Sequence, residues 1–484
     1  MSAAAAEGLA DEARAALASG EEAALVDRLE AAASVTRDAT LWQWTGLLHR
    51  SLDDHARAIE AFDRAARLAP RNAGIAHGSA RVRFEAGLDA RDAYERALTL
   101  ASDNGEVLIG GFAARTAMGE GAAVSDDLAA LLGRHPGWIA GHQQFAQVQA
   151  LLGRSDQAAV SIDAALGHFP RDPALWQARL DLAVRREEFA AIPGLLAQGA
   201  GVALGLDSSA LYAAIGASET GALEKADDHF AKVPVDLAPL WRLRFLLRCG
   251  RLDEALPLID RMLAGPERAE TWPYAHAAWR MAGDPRADWR LGTSIRTFDL
   301  ADELPPLDRV ANVLRRLHDV SGEYLDQSVR GGTQTDGPLF SRIDPDLRAV
   351  RGVVLGAVDR YRRDLAPSDP NHPLLGPRRD RRLRFAGSWS VRLRPGGAHA
   401  NHVHPQGWIS SALYIALPGS DPDRRGWLTL GQPQASLGLD LTPLRFVEPR
   451  PGRLVLFPSW LWHGTIPFHA GERLTIAFDI APPR

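Results

Sequence analysis

Two stretches near the C-terminus decide the fold of that end of the chain: NHVHP at 401–405 and PGRLVLFPSWLWHGTIPFHAGERLTIAFD at 451–479. The first stretch separates His402 and His404 by one residue, and the second supplies His463. Because side chains alternate between the two faces of an extended strand, His402 and His404 are expected to point in the same direction. We expect the third imidazole, which comes from a distant strand, to meet them at one place.

Three converging imidazoles can bind one face of a metal ion and leave the opposite face open. Non-haem iron oxygenases hold Fe(II) in this way, normally with two histidines and one carboxylate. Here His404 stands where the carboxylate is expected, and a neutral imidazole would leave the site with one more positive charge. Two arrangements follow: three ligands, His402, His404 and His463, or two ligands with water at the position of His404.

Short strands separated by turns surround both stretches from Leu383 onward. The first, RLRFAGSWSVRLRPGG, alternates apolar and polar residues and ends in a glycine turn. Further strand-like runs are ISSALYIALP, WLTLGQP, LRFVEPRPG, RLVLFP, WHGTIPF and ERLTIAFDIAP. Roughly eight strands of this kind are typical of a double-stranded β-helix, or jelly roll.

The preceding part of the chain reads as paired helices of similar length. Its clearest unit is LWQWTGLLHRSLDDHARAIEAFDRAARLAPRN at 41–72. The pattern positions are Trp42, Gly46, Ala58, Phe62, Ala65 and Pro70. Small residues let the two helices approach, the aromatic rings fill the gap and the proline ends the second helix. The unit resembles the tetratricopeptide repeat, whose period is about 34 residues, so we expect a right-handed helical solenoid.

The predicted architecture is a multidomain chain of helical and β regions. Its parts are an N-terminal helical segment (1–39), tetratricopeptide-like repeats (40–292), a linker with a polar QSVRGGTQT loop and a helix (293–382), and a double-stranded β-helix core (383–484). The solenoid can be a groove for a peptide or partner protein, which we favour. Alternatively, it is a rigid scaffold or the surface of a homodimer.

Two polar segments in the linker have less specific interpretations. The run Tyr324–Phe340 is expected to be exposed turns, or a lid that contacts substrate. The arginine-rich segment HPLLGPRRDRRLRF at 372–385 is expected to be a solvated surface or a contact with an acidic partner.

The region Tyr324–Arg484 resembles the 2-oxoglutarate- and Fe(II)-dependent oxygenases of the kind fused to tetratricopeptide repeats. The matching segments are QSVRGGTQT, HVHP followed by SSALYIALP, PGRLVLFPSWLWHGT and ERLTIAF. The resemblance implies Fe(II) bound by the three histidines and 2-oxoglutarate anchored by Arg473 and Thr475. A guanidinium forks two donors onto a carboxylate, which fits this role. A surface ion pair of Arg473 with Glu472 or Glu448 is the alternative.

The resemblance implies a dioxygenase that hydroxylates a protein or peptide side chain recruited by the repeats. Substrate contacts are expected from Trp389, Trp408, Gln327 and Arg330, whereas His399 is expected to be a hydrogen-bonded residue of the barrel. Two rivals are a cupin-like metal dioxygenase that uses no 2-oxoglutarate, and a non-catalytic repeat scaffold.

Composition excludes other classes of function. The formal net charge of −5 gives no electrostatic case for nucleic-acid binding. No run of about 18 apolar residues predicts a membrane span. The single cysteine, Cys249, excludes an internal disulfide and a cysteine-based zinc site. We therefore expect a cytoplasmic protein.

Overall fold

The computed structural model describes residues 3–289, 291–319, 328–419 and 423–483. Its first part is a succession of helices, mostly in antiparallel pairs. These helices are α1 (Ala3–Ser19), α2 (Glu22–Thr36), α3 (Ala39–Ser51), α4 (His55–Leu68), α5 (Ala73–Glu85), α6 (Arg91–Leu100), α7 (Gly105–Ala117), α8 (Gly121–Arg134), α9 (Ile139–Leu151), α10 (Val160–His168), α11 (Pro173–Arg185), α12 (Ile192–Leu195), α13 (Gly201–Ala203), α14 (Gly205–Glu219), α15 (Leu223–Phe230), α16 (Pro239–Arg248), α17 (Leu252–Leu263) and α18 (Arg268–Ala282). None of the described helices combines the length and apolar character needed to cross a bilayer.

The pair α3–α4 shows why the repeat positions carry those residue types. Phe62 is completely buried, and a Cβ atom added at Gly46 would lie 2.7 Å from its ring. The glycine is therefore needed for the close approach of the two helices. Trp42 is buried in the same cluster, and Asp38 caps α3 by accepting hydrogen bonds from two backbone amides. The predicted helical N-terminal region and the core role of its repeat residues are confirmed.

The second part of the chain forms two antiparallel sheets. The strands are β1 (Arg296–Asp299), β2 (Val329–Gln334), β3 (Phe385–His399), β4 (Ile409–Ala416), β5 (Leu428–Leu430), β6 (Arg445–Val447), β7 (Arg453–Pro458), β8 (His463–Thr465) and β9 (Arg473–Ile480). The larger sheet has the order β1-β7-β4-β9-β3-β2 and the smaller one β6-β5-β8. The short helix α19 (Leu291–Ser294) precedes β1, while α20 (Leu307–His318) and α21 (Pro345–Arg363) share a core with the larger sheet.

The structure differs from the sequence-based prediction in two respects. Within the described ranges the sheets do not close into a barrel, so the predicted jelly roll is not confirmed beyond its antiparallel strands. The predicted linker supplies both edge strands of the larger sheet, β1 and β2. The strand β2 was not predicted from the polar run for two reasons. An edge strand needs no alternation of apolar residues on its outer side, and the pairing of β2 shifts register between Arg330 and Gly332. The beginning of that run, including Gln327, lies outside the described residues.

The helical region α1–α18 is called the solenoid below, and the two sheets are called the β region. The C-terminal end of the solenoid packs directly against the β region. Residues of α18 and residues between β7 and β8 belong to one continuous hydrophobic core. The indole of Trp462 donates a hydrogen bond to the carbonyl of Pro273 at 3.1 Å and meets the ring of Tyr274 edge to face at 5.6 Å. The two parts of the chain therefore share apolar packing and are not joined by a linker alone.

The N-terminal end of the solenoid meets the same β region through the arginine-rich segment. Arg384 forms an ion pair with the buried carboxylate of Glu22 and donates to the carbonyl of Gly20 at 2.8 Å. Arg382 donates to the carbonyl of Leu52. The acidic partner expected for these arginines thus includes the first helices of this chain, and both ends of the solenoid contact the β region.

Replacing Trp462 with alanine is expected to lower the free energy of unfolding by about 3–5 kcal/mol, because a large buried side chain leaves a cavity. Denaturant unfolding followed by circular dichroism measures this change. The continuous core predicts that helical and β signals unfold together in the parent protein. Trp44→Ala, at a half-buried position in α3, is the control and should cost less. Equal losses in both variants would contradict the assignment of Trp462 to the shared core.

Candidate metal centre

A small cavity lies among strands of both sheets. Its walls combine apolar, imidazole and polar side chains. The lining residues are Trp389, His399, His402, His404, Ser411, Ala412, Leu428, Phe457, His463, Gly464, Thr465, Arg473, Thr475 and Ala477. Alternate residues of β9 enter this set because strand side chains point to opposite faces with a period of two.

Backbone hydrogen bonds hold the NHVHP segment against the strand that carries the third histidine. His402 and His463 form an isolated bridge in which each amide donates to the other residue's carbonyl, at 2.9 and 3.0 Å. The amide of His404 donates to the carbonyl of Ser459 at 3.0 Å. The sequence had suggested that this segment is a regular strand, but the structure shows only the isolated bridge. The bridge still brings the histidines together. A Cβ atom at Gly464 would lie 3.0 Å from the carbonyl of His399, so this crossing requires glycine.

The three imidazoles are close enough to share one metal ion. Their ring centroids are 4.2 Å (His402–His463), 4.9 Å (His402–His404) and 5.1 Å (His404–His463) apart. One ring nitrogen of each lies within 4.8 Å of the others.

The outer hydrogen bonds of the rings fix which nitrogen is free. His402 and His463 each contact, through Nδ1, a backbone carbonyl oxygen two residues earlier, at 2.9 Å. Nδ1 of His404 lies 2.6 Å from Oδ2 of Asp479. Because all three partners are acceptors, Nδ1 is the protonated nitrogen in each ring. Nε2 is then left as the ligand atom, the arrangement usual for histidines that bind metals.

Desolvation at the cavity wall keeps two of these rings neutral. Desolvation and, to a smaller extent, the neighbouring His404 together lower the pKa of His402 to about 3. The same two causes, burial and neighbouring imidazoles, hold the pKa of His463 well below its usual range. A neutral imidazole is the form that binds a metal ion, and nitrogen donors suit iron, zinc, copper and nickel.

A buried cation occupies another part of the cavity. Arg473 is 2% exposed, and burial lowers its pKa. Its Nε and the hydroxyl of Tyr414 are both buried and have no hydrogen-bond partner in the part of the chain that the structure describes. The guanidinium carbon lies 5.1 Å from the centre of the Tyr414 ring. Burial raises the pKa of Tyr414, so its hydroxyl stays a neutral donor. In the described ranges this buried cation has no acidic partner, so the cavity fits an anionic ligand such as a carboxylate.

The alternative role of Arg473 as a surface ion-pair partner is not supported. Glu472 accepts hydrogen bonds from Arg315 and Arg392, and Glu448 is bound by Arg450. Neither carboxylate pairs with Arg473 in the described ranges.

The other predicted site residues lie in different environments. Thr475 lines the cavity, and Trp389 stacks obliquely beside His404 with ring centroids 5.3 Å apart. Trp408 was predicted to contact substrate, but it is buried in the core beside α21 and donates to a backbone carbonyl there, so that assignment is corrected. Arg330 is not part of the cavity lining, and Glu187 of the solenoid lies 3.7 Å from its guanidinium.

His399 was predicted to be a hydrogen-bonded residue, and its Nδ1 lies 3.2 Å from the hydroxyl of Ser328; it also forms part of the cavity wall. Two residues near the site, Asp479 and Tyr414, were not selected from the sequence. The alternation that places Arg473 and Thr475 on one face of β9 would have placed Asp479 on that face too.

Comparisons with known proteins agree with the resemblance stated from the sequence. Residues 387–479 match the family model described as "Putative 2OG-Fe(II) oxygenase". This range includes the three histidines, Arg473 and Thr475. No curated protein matches the chain by sequence.

Several solved structures are similar to parts of the chain. A prolyl-4-hydroxylase from Pseudomonas putida is 19% identical with a TM-score of 0.28, covering 40% of this chain and 94% of its own. A prolyl hydroxylase from Trichoplax adhaerens, solved with a peptide fragment, is 14% identical with a TM-score of 0.28, covering 42% of this chain and 93% of its own. A tetratricopeptide repeat protein from Parabacteroides merdae is 17% identical with a TM-score of 0.30, covering 47% and 91%.

Proposed function

We propose that this protein is an Fe(II)- and 2-oxoglutarate-dependent oxygenase that hydroxylates a side chain of a protein or peptide. The observation that carries the proposal is that one cavity contains three histidines and a buried guanidinium, which has no acidic partner in the described ranges. The histidines suit a divalent metal ion, and Arg473 suits the far carboxylate of a keto acid. A cupin-like site without a keto acid would leave the buried cation without a ligand.

Each residue then has a defined task. His402, His404 and His463 hold Fe(II) through Nε2. When bound, iron activates dioxygen, so that 2-oxoglutarate becomes succinate and carbon dioxide while one oxygen atom enters a C–H bond of the substrate. Arg473, Thr475 and the hydroxyl of Tyr414 bind and orient the carboxylate of the co-substrate.

The apolar part of the cavity wall has a separate role. Ala412, Leu428, Phe457 and Ala477 line the same space as the histidines. Their side chains exclude water from the reacting groups, which strengthens the electrostatic contacts of Arg473 with its ligand.

Contacts of the solenoid support a polypeptide substrate. The amide of Gln406, two residues after His404, donates to Glu270 of α18 at 3.2 Å. Arg330 at the start of β2 lies beside Glu187. Solenoid side chains therefore lie next to the turn after His404 and next to β2, the strand that pairs with β3. In this proposal a polypeptide bound along the solenoid reaches the histidines, with Trp389 beside His404 as its first contact.

Succinate formation tests the proposal. Anaerobically purified protein loaded with Fe(II) is expected to release succinate slowly from 2-oxoglutarate in air, even without its substrate. The chelated protein should release none. If no succinate forms, calorimetry with Zn(II)-loaded protein measures 2-oxoglutarate binding. Binding would identify an enzyme that awaits its substrate, whereas absence of both binding and turnover would contradict the proposed function.

A further inference from the structure

The three candidate ligands differ in what lies behind each ring. His402 and His463 donate to neutral backbone carbonyls. His404, which stands where a ligating carboxylate is expected, instead contacts a carboxylate through its outer nitrogen, at 2.6 Å. Such a short contact is typical of a charge-assisted hydrogen bond.

The carboxylate of Asp479 is held firmly in this position. Ser410 and Asp479 are opposite residues in the pairing of β4 and β9, and the Ser410 hydroxyl donates to Oδ1 at 2.5 Å. That hydroxyl lies 3.0 Å from the hydroxyl of Ser459, which is completely buried. A Cβ atom at Gly407 would lie 3.3 Å from the Cβ of Asp479, so the turn after His404 closes over the group. Both carboxylate oxygens are therefore occupied, and only one of them faces a candidate ligand.

No arginine or lysine of the described ranges forms an ion pair with this carboxylate. Within the described ranges its only ion-pair partner is His404. Arg473 lies six residues earlier on the same strand, which corresponds to about 20 Å at the usual strand rise of roughly 3.3 Å per residue. The negative charge of Asp479 is thus directed at the His404 ring.

We propose that Asp479 is a positioning residue that supplies, through His404, the negative charge that a ligating carboxylate would supply. Two neutral imidazoles and one carboxylate leave a divalent ion with a net charge of about +1, and three neutral imidazoles backed by one carboxylate give the same sum. The hydrogen bond also fixes the tautomer and orientation of His404. This inference rests on the proposed function, since it requires a divalent metal ion at the three histidines.

Metal binding by Asp479→Asn tests the inference without activity. Asparagine keeps the shape and an acceptor oxygen but removes the charge. Anaerobic calorimetry with Co(II) is expected to show binding about 10- to 100-fold weaker than in the parent protein. The visible Co(II) bands should shift, because the donor strength of His404 changes. Glu472→Gln removes a carboxylate next to the same strand, bound to Arg315 and Arg392, and should leave Co(II) affinity unchanged.

A second variant separates the effect of the Asp479 charge from the effect of the hydrogen bond that holds this carboxylate in place. Ser410→Ala removes a hydrogen bond to Asp479 but keeps the carboxylate, so its loss of Co(II) affinity should be smaller than that of Asp479→Asn. Thermal unfolding of the metal-free variants identifies any general loss of stability. If the parent protein binds Co(II) and Asp479→Asn binds it equally well, the inference is wrong and the proposed function stands. If the parent protein binds no Co(II), both are wrong.

Discussion

His463→Ala is expected to weaken Co(II) or Fe(II) binding by about 100- to 1,000-fold and to abolish succinate formation. Sites with four protein ligands bind Zn²⁺ with apparent free energies of about 10–16 kcal/mol, so one ligand contributes about 2.5–4 kcal/mol. His463 is the most buried of the three histidines, at 7% exposure, and backbone bonds to His402 fix its position. The backbone therefore holds its imidazole in place.

Calorimetry and succinate release measure the effect, and His469→Ala is the matched control. His469 is an exposed histidine in the turn that leads to β9, outside the cavity lining. The His469→Ala variant should bind metal and form succinate as the parent protein does. Equal metal affinity of His463→Ala and His469→Ala would mean that the metal binds elsewhere, and it would contradict the assignment of His463 as a ligand.

The same assay with His404→Ala decides between the two arrangements predicted from the sequence. If His404 is a ligand, its loss should resemble the loss of His463. If water fills that position, metal affinity should change little.

Local patterns in the sequence predicted the helical N-terminal region well. In α3 and α4 the residues that determine packing, Gly46 and Phe62, lie within one hairpin of the chain. Their effect therefore follows from spacing alone: a small residue faces a large ring wherever two neighbouring helices touch. The histidine cluster was predictable for a similar reason, since few other arrangements explain HxH followed by a distant histidine in a β region.

Contacts between distant parts of the chain were not predictable. Glu22 and Arg384 are separated by more than 300 residues, and the sequence shows only an acidic helix and a basic segment. The strand β2 was missed because its stability comes from pairing with β3 rather than from its own residues. Tyr414 was missed because its apolar neighbours in SSALYIALP indicate only a buried strand. The role proposed for its hydroxyl depends on the nearby Arg473, which comes from a different strand.

Arg473→Met is expected to weaken 2-oxoglutarate binding to the Zn(II)-loaded protein by about 100- to 1,000-fold while leaving thermal stability unchanged or higher. Loss of one member of a buried, hydrogen-bonded charge pair costs about 3–4 kcal/mol of binding, which gives the change in affinity. Thermal stability should not fall, because the ligand-free protein buries this cation without an acidic partner in the described ranges. An apolar side chain of similar length removes that cost.

Two further variants make the result specific to the guanidinium of Arg473. Arg473→Lys keeps the charge but loses the planar pair of donors, so its affinity should be intermediate. Arg392 lies on β3 and does not line the cavity, and its Nε is 2.9 Å from Glu472. The Arg392→Met variant should therefore bind 2-oxoglutarate normally. A structural role for Arg473 predicts the reverse: a lower melting temperature for Arg473→Met with affinity retained in whatever protein remains folded. That outcome would remove the co-substrate anchor, and the three histidines would then fit a metal enzyme that uses no keto acid.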